Sequence, residues 1–178
     1  AAHAATALSK LMREDMMIDV TDSNVIKIEE LPTSLGDPTD RVSAVYMDLS
    51  NGEKGSILLV FEEQKAKEIA SQLTKYCVGG EDRSEEDLVN SAMLEIGNIT
   101  ICAYLNAISK FLGAVYFPSP PGLANDMLGA ILQFPAQLMA KHANIAVVIK
   151  TNFVRTHDTF YGFVLFIPDE NSQEMILE

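Results

Sequence analysis

One stretch of sequence, Gly55-Ser56-Ile57-Leu58-Leu59-Val60-Phe61-Glu62-Glu63, sets the fold of this chain because the chain contains a second version of it. The second version is Gly162-Phe163-Val164-Leu165-Phe166-Ile167-Pro168-Asp169-Glu170, 107 positions later. Both copies are short apolar runs that follow a glycine and end in acidic residues, a pattern typical of a buried strand. Since apolar runs resemble one another, this match alone does not establish a duplication.

A further match lies upstream and in the same order. Ala7-Leu8-Ser9-Lys10-Leu11-Met12 aligns with Ala107-Ile108-Ser109-Lys110-Phe111-Leu112, 100 positions later. Two ordered matches with slightly different offsets indicate a duplication with a short insertion between them. We therefore predict one domain over residues 1–178, made of repeat one (residues 1–83) and repeat two (residues 84–178).

Each repeat is predicted to contain a helix, a variable segment, a hairpin of two strands and a terminal helix. The predicted strands are residues 41–49, 56–61, 145–153 and 159–167, and the predicted helices are residues 1–12, 64–76, 84–112 and 171–177. Asn51-Gly52 is suited to a tight turn in the first hairpin. Gly79-Gly80-Glu81-Asp82 is expected at the junction of the repeats. The predicted fold class is α/β with pseudo-two-fold symmetry, in which long helices pack against a mostly antiparallel sheet.

Composition excludes several classes of protein. A formal net charge of −12 argues against binding nucleic acid through its phosphates, and it suits docking on a basic protein surface or a salt-loving source. Cys77 and Cys102 are too few for a disulfide framework or a four-ligand zinc site. The histidines show no ligand spacing, so we predict no metal site. Since no secretory signal and no uninterrupted run of about eighteen apolar residues is present, we expect a cytoplasmic chain without membrane insertion.

The segment after the junction predicts a long helix. Ser84 is suited to cap its start, acidic residues follow in the first turn, and Gly113 is suited to end it. Its apolar residues cover several sides, which predicts a mostly buried helix. The three apolar stripes are Leu94, Ile101, Leu105, Ile108 and Leu112; then Ala92, Ile96, Ile99 and Ala103; then Met93, Tyr104 and Phe111.

One narrow polar strip interrupts this apolar surface. At about 100° per residue the strip contains six residues on one side of the helix. They are Ser91, Glu95, Asn98, Cys102, Asn106 and Ser109. The strip is either an ordinary solvent-exposed face or a functional surface, and its low charge keeps the second interpretation open. Gly97 lies in the interior of the helix, where glycine destabilises the helix by about 1 kcal/mol relative to alanine. Close approach of another backbone or of a partner would offset this loss. Cys102 is interpreted as packed or idle, because no nearby group would activate its thiol.

The spacing around this strip resembles a known family. Ser91, Glu95 and Asn98 are separated by three and two residues, and Pro121 follows Asn98 after twenty-two more. The CheC/CheX/FliY phosphatases have an Asp or Ser, a Glu, an Asn and a Pro at this spacing. The duplicated layout also resembles CheC over essentially the whole chain.

This resemblance implies a protein phosphatase that removes the aspartyl phosphate of the chemotaxis response regulator CheY. By resemblance, Asn98 orients the attacking water and Glu95 docks on a lysine of the regulator, while Mg²⁺ belongs to the regulator and no cofactor is bound by this chain. Gly97 would let the helix approach the partner closely. Pro121 is expected to shape the start of the next helix, and Ser91 is expected to be a cap-like or neighbouring contact without a catalytic role.

CheC proteins have two such motifs, one in each half. The 100-residue offset places the counterpart of Asn98 before Ala1, so we expect the first motif to lie outside this sequence. The counterpart of Pro121 would be Thr21, which departs from the motif. Only the second site can therefore be assigned.

Other functions remain open within the same fold family. The middle domain of FliM lacks the Glu/Asn pair and is a docking scaffold, so a non-catalytic module is the main alternative. CheX has a single motif and dimerises, whereas the repeat in this chain favours CheC. CheC proteins also bind the deamidase CheD, and this chain could act mainly as a partner of CheD.

Overall fold

The computed structural model describes residues 2–50, 54–75, 84–139 and 144–178. Its helices are α1 (Ala2–Met12), α2 (Leu31–Ser34, after a 3-10 turn at Ile28–Glu30), α3 (Glu63–Thr74), α4 (Glu85–Leu112), α5 (Leu128–Met139) and α6 (Glu170–Leu177). Its strands are β1 (Met16–Lys27), β2 (Arg41–Ser50), β3 (Lys54–Glu62), β4 (Phe117–Pro118), β5 (Gly122–Met127), β6 (Ile145–Arg155) and β7 (Thr159–Ile167).

Each strand and helix predicted from the sequence is present, with ends that differ by about two residues or fewer. The Asn51-Gly52 turn, the Gly79-Gly80-Glu81-Asp82 junction, Cys77 and His142 lie outside the described residues. Strands β1, β4 and β5 and the short helix α2 were not predicted, and α5 was expected only as the helix after Pro121, without bounds. Strand β1 lacks a clear apolar alternation because most of its side chains are exposed on both faces of the sheet.

The strands form one antiparallel sheet in the order β1-β6-β7-β3-β2, and both β4 and β5 pair with the free edge of β2. The pair β3 and β7 lies at the centre, and these are the strands that carry the repeated stretch. Strand β1 pairs with β6 from the second half, and β5 pairs with β2 from the first half. The sheet therefore has the predicted pseudo-two-fold symmetry: each half contributes a central hairpin, and each half places one further strand beside the hairpin of the other half.

Helices cover both faces of the sheet, because each central strand points alternate side chains to opposite sides. One core contains Val45, Leu59 and Phe61 of the sheet together with residues of α1, α3 and α4. The second core contains Ala44, Leu58 and Val60 together with residues of α2 and α5. This alternation places α4 on one face and α5 on the other.

Helix α4 begins and ends where its sequence signals indicate. The Ser84 hydroxyl accepts a hydrogen bond from the Asp87 backbone N–H at 3.1 Å, and Gly113 ends the helix in the left-handed conformation with φ of 63°. By length and composition α4 could also cross a membrane, but its buried side packs against β2 and β3 as a core helix. The prediction that α4 is mostly buried holds only for that side. Phe111 was expected to pack but is 84% exposed, because no described element covers it in the last turn.

Candidate functional site

The side of α4 opposite the polar strip is packed directly onto the sheet. Gly97 is buried, and a β-carbon at this position would lie 2.6 Å from the Cβ of Val45 on β2. Ile101 and Tyr104, one and two turns further along the same side, are also buried. Gly97 is therefore required by the contact between helix and sheet. The expectation that it faces a partner is wrong, because its α-carbon points into the core.

The polar strip faces away from the sheet. Glu95 is exposed and Asn98 is half-buried, and since they are three residues apart on a helix their side chains are neighbours. The remaining strip residues, Ser91, Cys102, Asn106 and Ser109, are all exposed or half-buried. The structure thus brings the predicted carboxylate and amide together on one outward surface, held by a helix whose other side is fixed in the core.

The hydrogen bonds of the strip distinguish its two main residues. The thiol of Cys102 donates to Oδ1 of Asn98 at 3.6 Å, one turn along the helix. Burial raises the pKa of the Cys102 thiol, so that it stays protonated and able to donate. For the carboxylate of Glu95 no partner is found in the part of the chain that the structure describes, so both of its oxygens can accept hydrogen bonds from another molecule.

Pro121 lies at a different place from the one expected. It precedes strand β5, and the next helix, α5, begins only at Leu128. The short segment before β5 is tied to β2, because the Ser119 backbone N–H donates to the Asp48 carbonyl at 2.8 Å and the Ser119 hydroxyl accepts from the Asp48 N–H at 3.0 Å. A proline without an N–H is well tolerated just before an edge strand. The expectation of a helix start is therefore wrong.

The helical and proline parts of the motif are connected through strand β2. Val45, which lies under Gly97, is the register partner of Leu123 on β5, and Pro121 stands two residues before Leu123. Thr21, the expected counterpart of Pro121, lies at a register shift of β1. Pro121 lies between β4 and β5, which both pair with β2, so both positions fall where the pairing at an edge of the sheet is irregular.

Several cavities formed by the described residues lie away from the strip. A cavity of about 980 Å³ is lined by residues such as Arg41, Lys150 and Tyr161, and one of about 480 Å³ lies between α5 and strands β2, β3 and β5. Glu95 and Asn98 line neither of them. A third, of about 690 Å³, lies beside the first turns of α4 and includes Asn90 and Met93 but not the pair. The pair instead projects from the outward face of α4, where another macromolecule could reach it.

A resident metal would need several ligating side chains close together. No group of at least three His, Cys, Asp or Glu side chains able to hold a metal ion occurs within residues 2–50, 54–75, 84–139 and 144–178. The strip itself presents one carboxylate, two amides, one thiol and two hydroxyls.

No protein-family model matches the chain. In sequence it is 24% identical over 183 residues to the CheY-P phosphatase CheC of Bacillus subtilis, covering 99% of this chain and 86% of that protein. It is 28% identical over 126 residues to the protein named CheC1 of Halobacterium salinarum, covering 69% of this chain and 62% of that protein.

Three solved structures show the same fold. FliY of Thermotoga maritima has a TM-score of 0.73 at 19% identity, and the match covers 98% of this chain and 86% of the FliY chain. FliM in the FliM–SpeE complex from H. pylori has a TM-score of 0.64 at 19% identity, and the match covers 99% of this chain and 85% of that chain. The CheX–CheY–BeF3–Mg²⁺ complex from Borrelia burgdorferi has a TM-score of 0.54 at 17% identity, covering 94% of each chain. The chain is therefore a relative of the CheC proteins and has the fold of the CheC/CheX/FliY family.

Proposed function

We propose that this chain is a cytoplasmic phosphatase that hydrolyses the aspartyl phosphate of a CheY-type chemotaxis response regulator. The observation that carries the proposal is the placement of Glu95 and Asn98 together on the outward face of α4, whose opposite face is anchored at Gly97. A helix fixed in this way can enter the active site of another protein without losing its geometry. The similarity to a protein named CheY-P phosphatase supports the same conclusion.

Asn98 is the residue that acts on the reacting atoms. Phosphoryl transfer has a loose transition state, so catalysis depends on positioning and charge stabilisation more than on a strong base. An aspartyl phosphate already has a carboxylate as its leaving group. An amide cannot take up a proton, but it can accept a hydrogen bond from water and donate two others. We therefore assign to Asn98 the alignment of a water molecule with the phosphorus.

Glu95 fixes the position of the regulator. Its carboxylate is exposed and projects beside Asn98, so it can form an ion pair with a cation in the regulator's active site. That site would become desolvated when the helix enters it, and the ion pair would then be stronger than one on an open surface. Mg²⁺ would be held by acidic residues of the regulator, and it would neutralise charge on the phosphoryl group there. We assign no catalytic role to Ser91, Gly97 or Pro121.

The test is dephosphorylation of a phosphorylated CheY-type regulator with Mg²⁺ present, with and without this chain. We expect the wild-type chain to accelerate phosphate release, and Asn98→Ala to lose at least about tenfold of that acceleration, as removal of a transition-state hydrogen-bonding group does elsewhere. Gln133→Ala removes an exposed amide from α5, on the opposite face of the sheet, and serves as the matched control. Equal acceleration by wild type and Asn98→Ala would reject the catalytic assignment.

A non-catalytic interaction module is the second candidate. FliM chains with the same fold occur in structures of a FliM–SpeE complex and a FliG–FliM complex, both from H. pylori. By the same similarity this chain could bind a flagellar-switch component, or it could bind CheD. Pull-down of the chain with CheD or a switch protein, unaffected by Asn98→Ala and without any acceleration of dephosphorylation, would support this second function.

A further inference from the structure

We propose that Cys102 is a positioning residue for Asn98, whose thiol holds the amide in the orientation that the reaction uses. This inference rests on the proposed function and extends it to a residue that the motif does not include. It starts from the hydrogen bond in which the Cys102 thiol donates to Oδ1 of Asn98 across 3.6 Å. The two residues are four apart on α4, so the helix itself brings the thiol and the amide to the same surface.

The hydrogen bond defines which end of the amide is free. A carbonyl oxygen has two acceptor positions, and the thiol occupies one of them. The second position of Oδ1 and both N–H groups of Asn98 remain available, and among the described residues no other side chain bonds to them. Oδ1 can therefore accept a hydrogen bond from the attacking water while an N–H donates to a phosphoryl oxygen. An amide turned by 180° would present these groups in exchanged positions.

The thiol is suited to this task by its surroundings. Cys102 is half-buried, and burial raises its pKa, so near neutral pH it is a neutral donor. A thiolate at the same place would repel Oδ1 and attract the N–H groups, which would turn the amide over. The backbone beneath cannot move to compensate, because Gly97 is held against Val45. The orientation of the Asn98 amide therefore depends on the side chain of Cys102.

The test compares Cys102→Ala and Cys102→Ser in steady-state dephosphorylation of the regulator. We expect Cys102→Ala to lower kcat about three- to tenfold, the rate equivalent of one neutral hydrogen bond, with KM unchanged because Glu95 still docks. Cys102→Ser restores a donor and should recover part of that loss. In an Asn98→Ala background, Cys102→Ala should have no further effect, since the thiol acts only through the amide.

A measurement that does not depend on catalysis follows the thiol itself. The S–H stretching band of Cys102, seen by difference infrared spectroscopy, should shift between wild type and Asn98→Ala, while the circular dichroism spectrum stays the same. If the band does not move, or if Cys102→Ala has the wild-type kcat while the wild type is active, the positioning role is overturned. If the wild-type chain does not accelerate dephosphorylation at all, the proposed function fails and the positioning role fails with it.

Discussion

Gly97 on α4 lies so close above Val45 on β2 that a β-carbon at position 97 would come within 2.6 Å of the Val45 Cβ. Val45 is completely buried and cannot swing away. This contact sets the height of α4 over the sheet and, through the rigid helix, the position of Glu95 and Asn98 on the other side. Gly97 is buried in the core, but it therefore affects both the packing of α4 and the position of the two residues proposed to act on the regulator.

Gly97→Ala should destabilise the protein although alanine favours helix. The gain in helix propensity is about 1 kcal/mol, whereas forcing an extra methyl group into a packed core costs about 1–3 kcal/mol and more when a helix must move. We expect a net loss of about 1–2 kcal/mol in the free energy of unfolding, measured by urea denaturation. The second change Val45→Ala should make Gly97→Ala less harmful than it is in the wild-type background. Additive effects of the two changes would contradict the proposed contact.

Gly122→Ala should be much milder. A β-carbon there would meet the outer end of the Tyr46 ring, and Tyr46 is 40% exposed, so its ring can turn into solvent. Because the neighbour can move, we expect less than about 1 kcal/mol of destabilisation in the same urea experiment. A loss as large as that of Gly97→Ala would mean that Tyr46 is fixed.

Two buried tyrosines should make the protein sensitive to alkali. Tyr104 hydrogen-bonds the hydroxyl of Thr151 at 2.6 Å, and Tyr116 hydrogen-bonds the hydroxyl of Ser172. Desolvation by burial raises the pKa of both phenols, while these hydrogen bonds lower it by less. Because the phenol pKa is higher in the folded than in the unfolded protein, the two neutral phenols contribute their full stability below about pH 10, the tyrosine pKa of the unfolded chain. This contribution is lost as the pH rises through the phenol pKa values of the folded protein.

The check on this prediction is the free energy of unfolding at about pH 8 and about pH 10.5, on either side of the ordinary tyrosine pKa. The double variant Tyr104→Phe with Tyr116→Phe should lose less stability between the two pH values than the wild type. Tyr161→Phe is the control, because Tyr161 is 70% exposed. If the double variant loses as much stability as the control, other groups cause the alkaline sensitivity.

Glu95→Gln should affect binding of the regulator more than the chemical step. The change removes the charge while keeping the shape, and it leaves Asn98 and its bond to Cys102 in place. We expect KM for the phosphorylated regulator to rise about tenfold, with kcat lowered less, since a docking interaction acts on ground state and transition state alike. The rise should shrink at high salt, because salt screens charges that attract over a distance. A kcat loss as large as that of Asn98→Ala would instead place Glu95 at the reacting atoms.

Much of the architecture was predictable from local spacing. The duplicated stretches fall on β3 and β7, the central strand pair, and the helix signals at Ser84 and Gly113 coincide with the ends of α4. The polar strip was also predictable, because a side chain's direction around a helix depends only on its position along the sequence. The position of Glu95 and Asn98 on one side of α4 follows from that same periodicity.

The contacts made across the sheet were not predictable in the same way. Residue spacing does not say which neighbour lies beneath Gly97, that Phe111 is left exposed, or that Pro121 leads into a strand that pairs with β2. These depend on how segments far apart in the chain pair and pack. A helix turn places Glu95 beside Asn98 by itself, but only the assembled sheet and its core hold the opposite side of that turn in place.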